Sequence, residues 1–127
     1  MHKTSSSNIV ATMVKDCLIV TVGDDLSGGV LEEVRRVVLR DVHQKGCLSI
    51  IFELSALKFM DTLEFDGLKT ISEMASILGA RAMFVGMQPG IVFHLIANDA
   101  HTVGVSAALD LNEALEKLGI TNAASRN

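Results

Sequence analysis

The sequence predicts an α/β domain with a mixed, mostly parallel sheet, an N-terminal β-hairpin edge and about four helices. Two observations predict this class. Short apolar runs alternate with longer stretches whose apolar residues recur at helical spacing. After two initial strand-like runs, strands and helices alternate, which is typical of parallel strands joined by crossover helices. The predicted element order is therefore β-β-α-β-α-β-α-β-α.

The first three elements are a hairpin and a helix. Residues 8–14 and 17–23 are β-rich runs, and Lys15 and Asp16 between them indicate a tight turn. Residues 24–29 form a loop. From Val30 to near Gly46, apolar residues recur every three or four positions with charged residues between them, which predicts an amphipathic helix.

The remaining elements alternate. Residues 47–54 are a dense apolar run, typical of a strand covered on both faces. A helix starting near Asp61 and ending at Gly79 follows, and then a second buried strand at 81–87. The last elements are, in order, a turn at 88–90, a short helix at 90–99, a short strand at 101–109 and a helix at 110–119 capped by Asp110.

Composition indicates one globular domain. The chain has 127 residues, of which 49% are hydrophobic and 20% are charged. We expect the domain to span residues 1–127, with frayed tails at 1–7 and 119–127. The net charge is −4 and the sequence contains no cluster of basic residues, so we expect no nucleic-acid partner. No apolar run reaches the roughly 18 residues of a membrane-spanning helix, so we expect no membrane partner.

The residue types that carry metal or redox chemistry are scattered. Cys17 and Cys47 each lie in an apolar run, with no CxxC motif, and we interpret them as buried thiols of a cytoplasmic protein. The four histidines show no metal-ligand spacing. The sequence also offers no nucleophile–base pair, so we expect no metal, no cofactor and no enzymatic activity.

An aspartate and a threonine stand where the third predicted strand, residues 47–54, gives way to a helix. Asp61 with Glu64 fits a capping box, in which each residue binds the other's backbone N–H. The hydroxyl of Thr62 is then not needed by the cap. It lies at the carboxyl end of a strand, where α/β proteins commonly place functional groups.

A phosphate on Thr62 would add about −1.5 to −2 charges beside Asp61, Glu64 and Asp66. The helix N-terminus favours an anion by only about 0.3–1 kcal/mol. Each pair of like charges about 4 Å apart costs roughly 1 kcal/mol in water and about 4 kcal/mol at an effective dielectric constant of 20. We therefore expect a surface that binds a partner when neutral and repels it when phosphorylated.

The segment FELSALKFMDT (52–62), a helix, and then LGARAMFVGMQPGI (78–91) resemble the STAS domain family, the anti-sigma-factor antagonist fold. The resemblance covers residues 8–118 and is greatest to the single-domain scaffold proteins of the stressosome, the RsbS type. It implies that the Ser or Thr after the aspartate, here Thr62, is phosphorylated by a serine/threonine kinase. The helix at 90–99 has no Ser or Thr, so a second phosphorylation is not predicted.

The resemblance also implies partners. They are an RsbT-type switch kinase, released on phosphorylation, and RsbR-type sensor STAS paralogues in a homo- or hetero-oligomer. Two alternatives remain: a free-standing anti-sigma-factor antagonist regulated at the same site, and a STAS module that binds a small ligand or lipid.

Five further residues are candidate docking positions. Lys58, Phe59 and Met60 precede the junction, and the two apolar side chains belong either to the core or to a docking surface. Gln88 and Gly90 flank Pro89, and a backbone role in the turn suffices for them. The resemblance implies that this turn lies near the phosphorylated helix, where it would contact the kinase.

Overall fold

The computed structural model describes residues 4–5, 9–102 and 104–120, which form a mixed six-stranded sheet in the order β1-β2-β3-β4-β5-β6 with four helices. The strands are β1 (Thr4–Ser5), β2 (Ile9–Val14), β3 (Cys17–Val22), β4 (Ser49–Glu53), β5 (Arg81–Val85) and β6 (Ala107–Ala108). The helices are α1 (Val30–Lys45), α2 (Thr62–Ile77), α3 (Pro89–Ala97) and α4 (Leu111–Lys117).

The strand directions confirm the predicted fold class. β1, β2 and β3 pair antiparallel, whereas β3, β4, β5 and β6 pair parallel. The hairpin turn lies at the predicted place, because Val14 pairs with Cys17 and Lys15 adopts a φ of 53°. Each parallel pair is joined by one crossover helix, as the alternating pattern indicated.

Several boundaries differ from the sequence prediction. Thr4–Ser5, expected in a frayed tail, pair with β2 and form the outermost strand; the rest of residues 1–7 lies outside the described residues. The last strand is shortened to β6 because the N–H of Val105 donates to the carbonyl of Thr102 in a turn. α3 begins at Pro89, one residue before the expected start at Gly90, and ends at Ala97. At the carboxyl end of the chain, Gly119 and Ile120 were also expected in a frayed tail, but the N–H of Ile120 donates to the carbonyl of Leu115 at 2.8 Å. Residues 121–127 lie outside the described part.

Helices cover the sheet on both faces. Ile50 and Phe52 of β4 join a large core cluster with α1 and α2, and Ile51 between them joins a smaller cluster with Ala114 of α4. This two-sided burial explains why residues 47–54 are apolar without alternation. α1 and α2 approach closely where Gly67 faces Leu31, since a Cβ at Gly67 would overlap the Leu31 side chain.

Candidate phosphorylation site

The parallel strands β3, β4 and β5 end at the same side of the sheet, here called the carboxyl edge, and each is followed by a loop. Two hydrogen bonds connect the three loops. The backbone N–H of Lys58 donates to the carbonyl of Asp24 at 3.3 Å, and Nε2 of Gln88 donates to the carbonyl of Ser55 at 3.0 Å. The loop that leads to Asp61 and Thr62 is therefore held between its two neighbours.

Close packing after β4 and β5 sets the path of this loop. Oγ of Ser55 donates to the Glu53 carboxylate at 2.7 Å, and the Ser55 N–H donates to it at 3.2 Å. Gly86, with φ of +77°, lies against Ser55, and a Cβ there would stand 2.9 Å from the Ser55 Cβ. A side chain at this position would therefore have both an unfavourable backbone conformation and a steric overlap.

Asp61 and Glu64 form the capping box that their spacing predicts. The N–H of Glu64 donates to Asp61 Oδ1 at 2.8 Å, and the N–H of Asp61 donates to Glu64 Oε1 at 3.0 Å. The two carboxylates satisfy backbone donors that the first turn of α2 leaves without helical partners. Both acids thus have a structural role at the start of the helix.

Thr62 is the first residue of α2 and is partly exposed. Within the described residues its hydroxyl makes no hydrogen bond, because the cap uses Asp61 and Glu64 instead. Asp66 is exposed one turn further along the helix. The structure therefore brings together Asp61, Thr62 and Glu64, with Asp66 nearby, and leaves an uncommitted hydroxyl at the N-terminus of a 16-residue helix.

The acidic character of this edge extends to the loop after β3. Asp24 and Asp25 are exposed there. Oγ and N–H of Ser27 donate to the Asp25 carboxylate at 2.7 and 2.8 Å, and these hydrogen bonds lower the pKa of Asp25. The loop is therefore negatively charged at neutral pH. An incoming phosphate on Thr62 would lie on an edge that already carries several negative charges.

Of the two alternatives for Met60, core or docking surface, the structure selects the core. Met60 is fully buried in the core cluster, whereas its neighbours Lys58 and Phe59 are exposed. A turn in which Leu57 donates to the carbonyl of Leu54 directs Leu57 and Met60 inward. Gln88 and Gly90 are exposed, although Gln88 also connects two loops.

Sequence reasoning missed two exposed apolar side chains, besides Phe59, on helices that begin at the carboxyl edge. Phe59 is 54% exposed, and its ring centroid lies 5.0 Å from that of His94 in α3. Phe93 of α3 is 72% exposed and Leu63 of α2 is 78% exposed. We call Phe59, Leu63 and Phe93 the apolar patch. Only Ile91 and Leu95 of α3 are buried, so the apolar sequence of this helix exceeds what the core uses.

Other chemistry has little support in the described residues. There, no group of three or more His, Cys, Asp or Glu side chains is placed to hold a metal ion. None of the four helices combines the length and apolar character that a membrane span requires. Cys17 and Cys47 are free and buried, as predicted, and burial raises the pKa of both thiols.

A cavity of about 320 Å³ lies between α2 and β5, with a mixed polar and apolar lining. Its lining includes Glu73, Ser76 and Arg81. This volume is at the lower end of the range for small-molecule sites. The cavity is lined by residues from Lys69 of α2 onward and not by Thr62, so a ligand there would be separate from the candidate phosphorylation site.

The comparison with protein families identifies the class. The STAS domain model matches residues 8–98, and the chain therefore belongs to the STAS domain family. No curated protein matches the sequence at a significant level.

Solved structures of the same fold include stressosome proteins. A variant of RsbS from Moorella thermoacetica, in which a glutamate replaces a serine, has a TM-score of 0.76 and 23% identity, covering 89% of this chain and 96% of that one. A protein chain in a structure of the stressosome has a TM-score of 0.73 and 23% identity, and the match covers 86% of this chain and 95% of that one. The anti-sigma factor antagonist SpoIIAA in its unphosphorylated form has a TM-score of 0.68 and 15% identity, covering 87% and 97%. These similarities confirm the predicted STAS-like fold.

Proposed function

We propose that this STAS domain is a non-catalytic, cytoplasmic regulatory scaffold of a stressosome-type complex, which sequesters an RsbT-type serine/threonine kinase and releases it when Thr62 is phosphorylated. RsbR-type sensor paralogues are its partners in that complex. One observation carries the proposal: the capping box of Asp61 and Glu64 leaves the partly exposed Thr62 hydroxyl uncommitted.

The carboxyl edge offers the kinase two kinds of contact. The apolar patch supplies area that is removed from water on binding. The acids of the same edge, Asp24, Asp61, Glu64 and Asp66, favour a kinase surface that carries basic residues beside its apolar contacts. Lys58 and Gln88 lie beside these groups and would make polar contacts.

Release follows from added charge. A phosphate at Thr62 brings about −1.5 to −2 charges to the first turn of α2, next to carboxylates that are already engaged in the cap. The helix N-terminus compensates only part of this repulsion, because its contribution is about 0.3–1 kcal/mol. Phosphate would also replace a neutral hydroxyl by a strongly hydrated group that a docked kinase must desolvate.

The structural neighbours support this kind of regulation. The RsbS variant carries glutamate in place of a serine, and the SpoIIAA structure is specified as the unphosphorylated form. The chain in the stressosome belongs to an assembly described as a signal integration and transduction hub.

Mass spectrometry after incubation with an RsbT-type kinase and ATP tests the site. We expect one phosphate, located on Thr62, and no phosphate on Thr62→Ala. Labelling at another residue while Thr62 stays unmodified would contradict the site assignment. Thr62→Ala should keep the folded structure and bind the kinase, because Asp61 and Glu64 make the cap; unfolding of this variant would show that Thr62 is structural.

A matched pair of variants separates charge from size. Thr62→Asp should weaken kinase binding at least about tenfold in calorimetry, which corresponds to roughly 1.4 kcal/mol. Thr62→Asn has nearly the same shape without the charge and should bind within about threefold of the wild type. Equal affinity of Asp and Asn variants would contradict electrostatic release.

A free-standing anti-sigma-factor antagonist is the second candidate, favoured by the similarity to SpoIIAA. It uses the same hydroxyl and the same repulsion but needs no assembly. Light scattering of this chain mixed with RsbR-type paralogues distinguishes the two functions. A particle of megadalton size supports the scaffold, and separate small species support the antagonist.

A further inference from the structure

The cavity between α2 and β5 exists because the sheet is incomplete beside it. β6 has two residues and pairs only with Phe84 and Val85, so in the described residues the start of β5 has no strand on that side. The N–H of Val105 donates to the carbonyl of Thr102 at 3.2 Å, in a turn that takes the place of further pairing. The space that remains is about 320 Å³, enough for one small molecule.

A backbone donor and a backbone acceptor face this space. The N–H of Phe84 donates to the carbonyl of Ser106 at 2.9 Å, on the side of β5 where β6 lies. In a parallel ladder, residues two apart in a strand direct their backbone groups to the same side, so the N–H and C=O of Ala82 share this direction. Ala82 lies before the start of the β6 ladder and lines the cavity. A ligand can therefore bond to the edge of the sheet here.

Contacts between distant segments hold the walls of the cavity. Nζ of Lys69 in α2 donates to the carbonyl of His101, which ties this helix to the segment after α3. The same Nζ lies 5.8 Å from the ring centroid of Phe65, and that ring lies 6.1 Å from the ring of Phe84 in β5. The cavity is thus enclosed by elements that contact one another.

Charges of both signs line the cavity without pairing. Glu73 of α2 and Arg81 of β5 are both exposed and both line it. In the part of the chain that the structure describes, neither side chain enters an ion pair. α2 has no basic residue in its last turn, so the partly negative end of the helix adds to the negative side of the cavity.

We propose that this cavity binds a free α-amino acid with an apolar side chain. The guanidinium of Arg81 binds the carboxylate through two parallel hydrogen bonds, a geometry that arginine favours. The ammonium group lies against the Glu73 carboxylate and the carbonyl of Ala82. The apolar side chain packs on Val105 and Leu118, which line the same space. Each charged group of the ligand then meets its opposite.

The lining favours this ligand over two others. A phosphorylated molecule would place two or more negative charges beside Glu73 and the negative end of α2. An extended peptide that adds a strand needs a row of unpaired backbone groups. Among the described residues of β5 that line the cavity, only Ala82 offers such groups.

Two-dimensional ¹H–¹⁵N NMR of the full chain, titrated with leucine, tests the site. We expect the amide signals of Ala82 and Ser106 to shift and to saturate at millimolar leucine. Isocaproate lacks the amine of leucine and isoamylamine lacks its carboxylate. Each should bind at least about tenfold more weakly than leucine, because each leaves one charged side chain of the cavity unmatched.

Variants assign the two charged groups of the ligand. Arg81→Gln should weaken leucine binding at least about tenfold and leave the affinity for isoamylamine unchanged. Glu73→Gln should also weaken leucine binding but leave the affinity for isocaproate unchanged. The matched control is Arg35→Gln, which alters an exposed arginine of α1 outside the cavity and should bind leucine like the wild type.

Four results would overturn the site: no amide shift at about 20 mM leucine, shifts that exclude Ala82 and Ser106, equal affinity for the three probes, or leucine binding that survives Arg81→Gln. Binding of a leucine-containing peptide at Ala82 without binding of free leucine would overturn the choice of an amino acid. The titrations contain no kinase, so their outcome does not depend on the proposed function.

Discussion

The two edges of the sheet are built from the same strands and differ in charge and in helix polarity. Every helix of the described part follows a strand and begins at the carboxyl edge, so the partly positive helix N-termini gather there. Acids such as Asp61 and Asp110 are favourable at those positions, and both cap helices. The opposite edge, where β3, β4 and β5 begin and which we call the amino edge, receives the helix C-termini, with His43 and Lys45 in the last turn of α1.

This difference shows how one fold can provide two kinds of surface. The crossover connections determine which edge becomes acidic, because caps and first-turn acids follow the helix starts. An added phosphate has the greatest effect at the edge that is already acidic.

The largest expected effect is on stability, and it compares a buried residue of the carboxyl edge, Met60, with its exposed neighbour, Phe59. Met60→Ala should lower the free energy of unfolding by about 2–5 kcal/mol, because it opens a cavity in the core. Phe59→Ala, the neighbouring and half-exposed position, should cost much less stability but weaken kinase binding. Urea denaturation and calorimetry measure the two quantities.

An equal stability loss in both variants would show that Phe59 also belongs to the core. Unchanged kinase affinity of Phe59→Ala would remove this residue from the docking surface. Either result would contradict the division of this loop into a core residue, Met60, and a docking residue, Phe59.

Gly86→Ala is expected to cost about 1–3 kcal/mol, since it combines an unfavourable φ of +77° with an overlap on Ser55. The overlap should move the loop that leads to Thr62, so phosphorylation should also slow. The matched control is Gly79→Ala, where φ is +102° but nothing lies within 4 Å of the added Cβ. A similar phosphorylation rate in both variants would contradict a positioning role for Gly86.

The smallest expected effect concerns the cap. Asp61→Ala should lower the free energy of unfolding by about 1 kcal/mol, because Glu64 N–H loses its acceptor. Asp61→Asn keeps a capping oxygen and should recover most of that loss. If Thr62→Ala costs more stability than Asp61→Ala, the division between a structural aspartate and a regulatory threonine is wrong.

Much of this site could be predicted because its determinants are local in sequence. The spacing of Asp61 and Glu64 predicts the capping box, and the apolar run before them predicts β4. The family resemblance added the expectation for Thr62, whose side chain is partly exposed. Phe93 and Leu63 were not predicted, because apolar residues in a helix are normally assigned to the core.

The sequence alone determined the helices, the buried strands, the hairpin and the cap, because periodicity and hydrogen bonds between near neighbours depend on residues close together in the chain. The tertiary structure decided which apolar side chains face water. Met60 and Phe59 are adjacent and both apolar, yet only one is covered, because burial depends on elements that are distant in sequence. For the same reason, only the tertiary structure placed Thr4–Ser5 beside β2.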